Sequence, residues 1–216
     1  MALMTGVMPT SEAVVFVVDD DPAVRRLIAH LLSLSGYRVE TFAGAQEFLD
    51  ADCASPLACL ILDVQLPGLN GLELQQKLIE RGRLLPIVFI TGYGDIPTSV
   101  KAMKAGAVDF LPKPFTEEAL LSAVQTALDR CRLESTVKSD LAETQKLVTT
   151  LTAREAEVLP YIVAGRLNKE AAYELGIAEQ TVKIHRAQIK KKLQVQSTAE
   201  LVRLAVKAGV PLPPSS

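Results

Sequence analysis

The chain is poor in the features that mark export, membrane insertion or covalent cross-linking. No tract approaches the ~18 uninterrupted apolar residues of a membrane span, so no membrane partner is expected. Residues 1–12 have neither a basic start nor a long apolar core. They are read as a tail rather than a secretory signal, and the cytoplasm is the expected compartment. Cysteine is scarce: Cys53, Cys59 and Cys131 are odd in number and lack CxxC spacing, which argues against a disulfide framework or a structural zinc site. His185 stands apart from any cysteine or second histidine and is not a zinc ligand candidate. Strand signals are missing from 151 to 209. What is present is an ordinary globular composition, 49% hydrophobic and 22% charged, in 216 residues, enough for two compact units that each bury a core.

The net charge of −2 conceals a division. Residues 1–129 hold 9 Lys and Arg against 16 Asp and Glu, whereas residues 151–216 hold 10 against 6. An acidic first unit and a basic last unit suggest different partners, with nucleic acid a candidate for the basic one.

Apolar runs at 13–18, 38–42, 57–62, 86–90 and 108–111 alternate with helical patterns at 22–35, 44–51, 71–82 and 95–105, and a fifth opens near Thr116. The first, third and fourth runs are almost wholly apolar, as in strands covered on both faces. Five βα units with right-handed crossovers predict an α/β doubly wound, five-stranded parallel sheet over 13–130, with any site at the carboxyl ends of its strands.

The helix from Thr116 carries an apolar or small stripe read through 121, 124, 128, 131, 135 and 138, then a second through 137, 141, 144, 148 and 151. The first is expected to dock on the sheet. The second, in a helical linker over 131–150, either faces an identical helix in a dimer or is solvated. Residues 151–209 read as a small all-α domain of four short helices. Its signals include capping-box spacing at Thr152 and Glu155 and a helix end near Gly176. Residues 210–216 form a Pro/Ser-rich tail.

Three acidic positions follow strands: Asp19 and Asp20 after the first, Asp63 after the third. Adjacent strands would bring them together. Two carboxylates ~4 Å apart repel by about 4 kcal/mol at an effective dielectric of 20, so a shared pocket needs a cation, most simply Mg²⁺. Thr91 after the fourth strand and Lys113 after the fifth would face it. The set suits a phosphoryl group, with Asp63 as nucleophile, Mg²⁺ and Lys113 as charge clamps and Thr91 as a hydrogen-bond donor. Acidic residues at strand ends also serve as plain solvated caps and turns.

Four segments carry a resemblance: VVFVVDDD, LILDVQLPGLNG, VFITGYGD and DFLPKPF. Through them residues 13–130 resemble the receiver domain of two-component response regulators, a flavodoxin-like fold. The resemblance implies phosphorylation of Asp63 by a sensor histidine kinase, with Mg²⁺ bound by Asp19, Asp20, Asp63 and the backbone carbonyl of Gln65. It also implies that Thr91 moves toward the phosphoryl group, that Phe110 turns inward behind it, and that the Lys113–Pro114 bond is cis. Taken alone, Phe110 also reads as plain core.

Residues 151–209 resemble the LuxR-type helix-turn-helix output domain through LTAREAEVL, the NK of GRLNKEAAYELGI, and EQTVKIHRAQIKKKL. Together the two halves resemble the NarL/FixJ subfamily. Double-stranded promoter DNA is then the expected partner, with RNA polymerase a further candidate. The 179–193 helix would enter the major groove while the 169–175 helix crosses the backbone. Helical spacing puts Val182, Ile189 and Leu193 inward and Lys183, Ile184, Ala187, Gln188 and Lys191 outward. Lys183 and Gln188 suit base edges, and Ile184 a thymine methyl. Asn168, Lys169, Thr181, His185, Arg186 and the run Lys190, Lys191 and Lys192 suit phosphates, although the triple lysine alone also reads as a solvated helix end.

Two departures from the family pattern stand out. Ala178 occupies the place of a capping serine, and Pro160 falls inside a helix.

The expected function is a phosphorylation-dependent, dimerising transcription regulator that catalyses only its own phosphorylation and dephosphorylation. Two rivals use the same residues: a free-standing phosphohydrolase with the same aspartate and Mg²⁺ chemistry, and a DNA-binding protein whose first domain only dimerises. The basic helix disfavours the former. The complete set Asp19, Asp20, Asp63, Thr91 and Lys113 disfavours the latter.

Overall fold

The computed structural model describes residues 13–53, 55–92 and 96–213. The tail expected over 1–12, residues 93–95 of the VFITGYGD segment and the last three residues lie outside that description. The chain divides into two compact units, Met1–Ser135 and Thr136–Ser216.

In the first unit all five expected strands form: β1 (Val14–Val18), β2 (Arg38–Phe42), β3 (Ala58–Asp63), β4 (Ile87–Thr91) and β5 (Asp109–Pro112). They alternate with α1 (Pro22–Leu34), α2 (Ala45–Asp50), α3 (Gly71–Glu80) and α4 (Ile96–Lys104), and α5 (Glu117–Thr149) follows. The sheet is wholly parallel, in the order β2-β1-β3-β4-β5. Strands β1, β3 and β4 are buried along their whole length, which is why their sequences run apolar without alternation.

Successive side chains nevertheless go to opposite faces. Phe16, Val18, Leu60, Leu62 and Phe89 pack with Phe48 of α2 and Leu74 and Leu78 of α3. Val15, Val17, Ile61, Val88 and Ile90 pack with Ile28 and Leu32 of α1 and Leu120, Val124 and Leu128 of α5. Each such side chain contributes about 1.5–3 kcal/mol by leaving water.

Local chemistry sets the helix starts. Asp21 accepts the Ala23 amide at 2.7 Å ahead of Pro22. Asn70 and Glu73 close a capping box that opens α3 just beyond β3.

Helix α5 is 33 residues long and runs from the first unit into the second. Its early stripe docks on the sheet through Leu121, Val124 and Leu128, with Leu120, Ala123 and Ala127 adding to it, whereas Ser135 and Lys138 at the end of that stripe are exposed. Val137, at the start of its second stripe, is exposed, whereas the end of the stripe is covered by the chain itself. Thr144 is buried, and Leu147, Val148 and Leu151 pack against the core of the second unit itself. Periodicity reported a buried face and not what covers it.

That second core is built by α6 (Ala153–Val163), α7 (Asn168–Leu175), α8 (Glu179–Lys192) and α9 (Thr198–Lys207) around Val158, Leu159, Ile162, Val182, Ile189, Leu193 and Leu201. Helix α6 continues through Pro160. Helix α7 ends at Gly176 with φ +65°, a left-handed conformation that glycine adopts without a Cβ clash.

Candidate functional site

Strand order builds the first site. The chain steps from β1 outward to β2 and then crosses to β3 on the other side, so the crevice of the sheet opens between β1 and β3. Val18 pairs with Leu62 in the parallel register, which carries Asp19 to the position beside Asp63. Asp19 and Asp63 are buried and Asp20 is exposed, and an oxygen of each lies within 4.8 Å of the others. The two buried carboxylates are oriented by backbone amides: Asp21 N–H donates to Asp19 Oδ1 at 2.8 Å, and Gln65 N–H to Asp63 Oδ1 at 2.9 Å.

Lys113 reaches the same pocket from β5. Its Nζ lies 2.7 Å from Asp19 Oδ2 and 2.5 Å from Asp63 Oδ2. Its backbone N–H donates to the Thr91 carbonyl at 2.6 Å, which ties the lysine to the end of β4, and the bond to Pro114 is cis. Thr91 is fully buried as the last residue of β4. Phe110 is half-buried with its ring 6.3 Å from that of Phe89.

Burial alone would lower the Lys113 ammonium, but its bonds to Asp19 and Asp63 outweigh burial and hold it above the usual lysine value. Burial pushes the Asp19 carboxyl up, against the pull of Lys113 and the Asp21 amide.

Three carboxylates against the Lys113 ammonium and the Arg25 guanidinium beside Asp19 still leave a surplus of one negative charge in the pocket. Hard oxygen donors with that surplus fit a hard divalent ion such as Mg²⁺.

Two further residues at this pocket have no conspicuous sequence signal. The Arg25 guanidinium donates to the Asp19 carbonyl at 2.6 Å. Gly71, in the first turn of α3, lies where any Cβ would meet the Asp63 carbonyl oxygen. The glycine-bearing LPGLNG stretch was the available hint of that close approach.

The second site is the outer face of α8. Lys183, Ile184, Ala187, Gln188 and Lys191 are exposed together, while Val182, Ile189 and Leu193 are buried, the division that helical spacing predicts. Lys183 lies 3.4 Å from Glu179 one turn earlier. Lys169 is exposed on α7, and Asn168, Thr181, His185 and Lys190 are half-buried. Ala178 gives α8 no side-chain cap.

Two of the cations expected at phosphates have protein partners in this structure. The Arg186 guanidinium donates to the Arg166 carbonyl at 3.3 Å, and Lys192 lies 2.6 Å from Glu155. The Glu155 carboxylate is a buried group whose only sequence signal was its capping spacing with Thr152.

Comparison with known proteins assigns a family to each part of the chain. Residues 15–125 match the response regulator receiver domain, and residues 149–205 match the bacterial regulatory proteins of the luxR family. The chain is 43% identical over 201 residues to nodulation protein W of Bradyrhizobium diazoefficiens, covering 93% of this chain and 88% of that protein. It is 45% identical over 197 residues to response regulator protein TmoT of Ectopseudomonas mendocina, covering 91% and 90%. Among solved structures, response regulator StyR superposes with a TM-score of 0.78 at 46% identity, covering 91% of this chain and 99% of that one. Full-length FixJ from B. japonicum superposes at 0.57 and 38% identity, covering 93% and 98%. No helix among the described residues is long and apolar enough to cross a membrane. A receiver domain that implies a histidine kinase partner, joined to a LuxR-type domain that implies DNA binding, makes this chain a two-component response regulator of the NarL/FixJ type.

Proposed function

We propose that this regulator is switched by phosphorylation of Asp63 and, once phosphorylated, binds promoter DNA as a homodimer to activate transcription in the cytoplasm. The observation that carries the reading is the convergence of Asp19, Asp20, Asp63 and Lys113 at the β1/β3 crevice.

The Asp63 carboxylate attacks the phosphorus of the kinase phosphohistidine. The new O–P bond forms as the P–N bond breaks, and the histidine leaves. Asp19, Asp20, Asp63 and the Gln65 carbonyl would hold Mg²⁺, which when bound neutralises phosphoryl oxygens. Lys113 balances charge from the opposite side. Thr91 donates its hydroxyl to the phosphoryl group, and Phe110 fills the space behind it. The chain catalyses only its own phosphorylation and its own slow hydrolysis, and is not otherwise an enzyme.

On α8, Lys183, Ile184, Ala187 and Gln188 read base edges. Asn168, Lys169, Thr181, His185, Lys190 and Lys191 hold phosphates, which position without specifying. Two domains on one dimer raise affinity through effective concentration and favour a dyad-symmetric site. RNA polymerase is the further partner that activation requires.

Sedimentation velocity with acetyl phosphate and Mg²⁺ tests the switch. The wild type is expected to shift to a dimer and Asp63→Asn to stay monomeric. An Asp63→Asn protein that dimerises equally overturns the proposal.

A further inference from the structure

Helix α8 ends in three lysines, and the structure separates them. Lys191 is exposed on the face that carries Lys183, Ile184, Ala187 and Gln188. Lys192 turns the other way, onto Oε2 of Glu155 in α6 at 2.6 Å, and the Glu155 side chain is only 3% exposed. The same oxygen accepts the Thr152 backbone N–H at 2.7 Å. One buried carboxylate therefore closes the start of α6 and grips the last turn of α8. Arg186, bonded to the Arg166 carbonyl, is a second inward cation. At its other end α8 has no side-chain cap, because Ala178 offers no acceptor.

We infer that Lys192, held by Glu155, is a positioning residue of the recognition helix: it fixes the rotation of α8 about its own axis and neutralises no DNA phosphate. The inference rests on the reading of α8 as the helix that enters the major groove. An ammonium committed to a buried carboxylate cannot move to a phosphate without leaving that carboxylate uncompensated. It therefore stays on Glu155, neutralises no phosphate and releases no counterion on binding. Rotation matters because side chains lie ~5 Å from the helix axis, so a turn of about 20° moves their tips by roughly 2 Å. That exceeds the tolerance of a hydrogen bond to a base edge.

The experiment uses the full-length chain. The wild type first selects a duplex from a random-sequence pool. Fluorescence anisotropy then measures affinity for that duplex and for a scrambled one of equal length across a series of salt concentrations. Each phosphate neutralised steepens the slope of log K against log salt by about 0.9. Lys191→Ala is expected to flatten the slope by that amount on both duplexes. Lys192→Met and Glu155→Gln are expected to leave the slope unchanged while lowering the ratio of selected to scrambled affinity about tenfold. Glutamine keeps the acceptor for the Thr152 amide, so Glu155→Gln removes the charge and not the cap.

Lys192→Arg is expected to restore the ratio. The double variant Glu155→Gln/Lys192→Met buries no lone charge and guards against a single variant that fails to fold; it is expected to show the same reduced ratio. Equal flattening by Lys192→Met and Lys191→Ala overturns the inference alone, as does an unchanged ratio in the double variant. A wild type that selects no duplex overturns the DNA-reading role of α8 and the inference with it.

Discussion

A Cβ on Gly71 would strike the backbone carbonyl oxygen of Asp63. The first turn of α3 presses on the end of β3, and the Gly71 N–H donates to the Val64 carbonyl at 3.0 Å. A methyl group at residue 71 must displace either the helix start or the strand end that carries the phosphoacceptor. Gly71→Ala is predicted to lower stability by about 1–3 kcal/mol, the usual cost of overpacking. It is also predicted to slow gain of a phosphoryl group from acetyl phosphate at least tenfold, on the order of the loss expected when a reacting group is displaced by ~1 Å. Urea unfolding and a mass time course check the two effects separately.

Lys113→Met removes the cation that bridges Asp19 and Asp63. Their mutual repulsion then costs several kcal/mol at close range unless another cation replaces the ammonium. The lysine is partly exposed, so the predicted loss of stability is discounted to about 1–3 kcal/mol. Millimolar Mg²⁺ is predicted to raise the melting temperature of Lys113→Met more than that of the wild type. Equal shifts in the two proteins count against a shared cation pocket.

The second unit should show a defined acid sensitivity. The Lys192 ammonium and the Thr152 amide hold the Glu155 carboxyl below its ordinary value of 4.5. A depressed folded value means that the stabilisation is fully present above the unfolded value and is lost as pH falls through the folded one. Calorimetric melting of the wild type and Glu155→Gln between pH 7 and pH 3 checks this. The gap in melting temperature is predicted to be constant at neutral pH and to close below about pH 4.5. A gap that does not narrow at all as pH falls from 4.5 to 3 contradicts the assignment.

Ala178 has extended backbone angles, φ −69° and ψ 144°, which suit an N-cap, yet it offers no acceptor to the amides of α8. Ala178→Ser is predicted to stabilise the second unit by about 0.5–2 kcal/mol. Thermal unfolding of the full-length chain measures the gain.

Much of the architecture was legible because its causes are local or periodic. Unbroken apolar runs marked the strands covered on both faces, and 3.6-residue spacing divided α8 into buried Val182 and Ile189 and exposed Lys183 and Gln188. The carboxylates were legible because Asp19 and Asp63 directly follow strand signals. What escaped the sequence depends on contacts between distant segments. Glu155 and Lys192 are 37 residues apart, so neither capping spacing nor a lysine run reports that they meet. The stripe through Val148 and Leu151 indicated a covered face without naming the core that covers it. Gly71 is one of twelve glycines, and only the position of Asp63 shows why its lack of a side chain matters.

The central claim is that the pocket of Asp19, Asp20, Asp63 and Lys113 accepts a phosphoryl group on Asp63. Intact-mass measurement with acetyl phosphate, with and without Mg²⁺, tests it on the wild type and Asp63→Asn. The account predicts the gain of one phosphoryl group that requires both Mg²⁺ and Asp63. No gain in the wild type under conditions that preserve acyl phosphates, or an equal gain in Asp63→Asn, would contradict it.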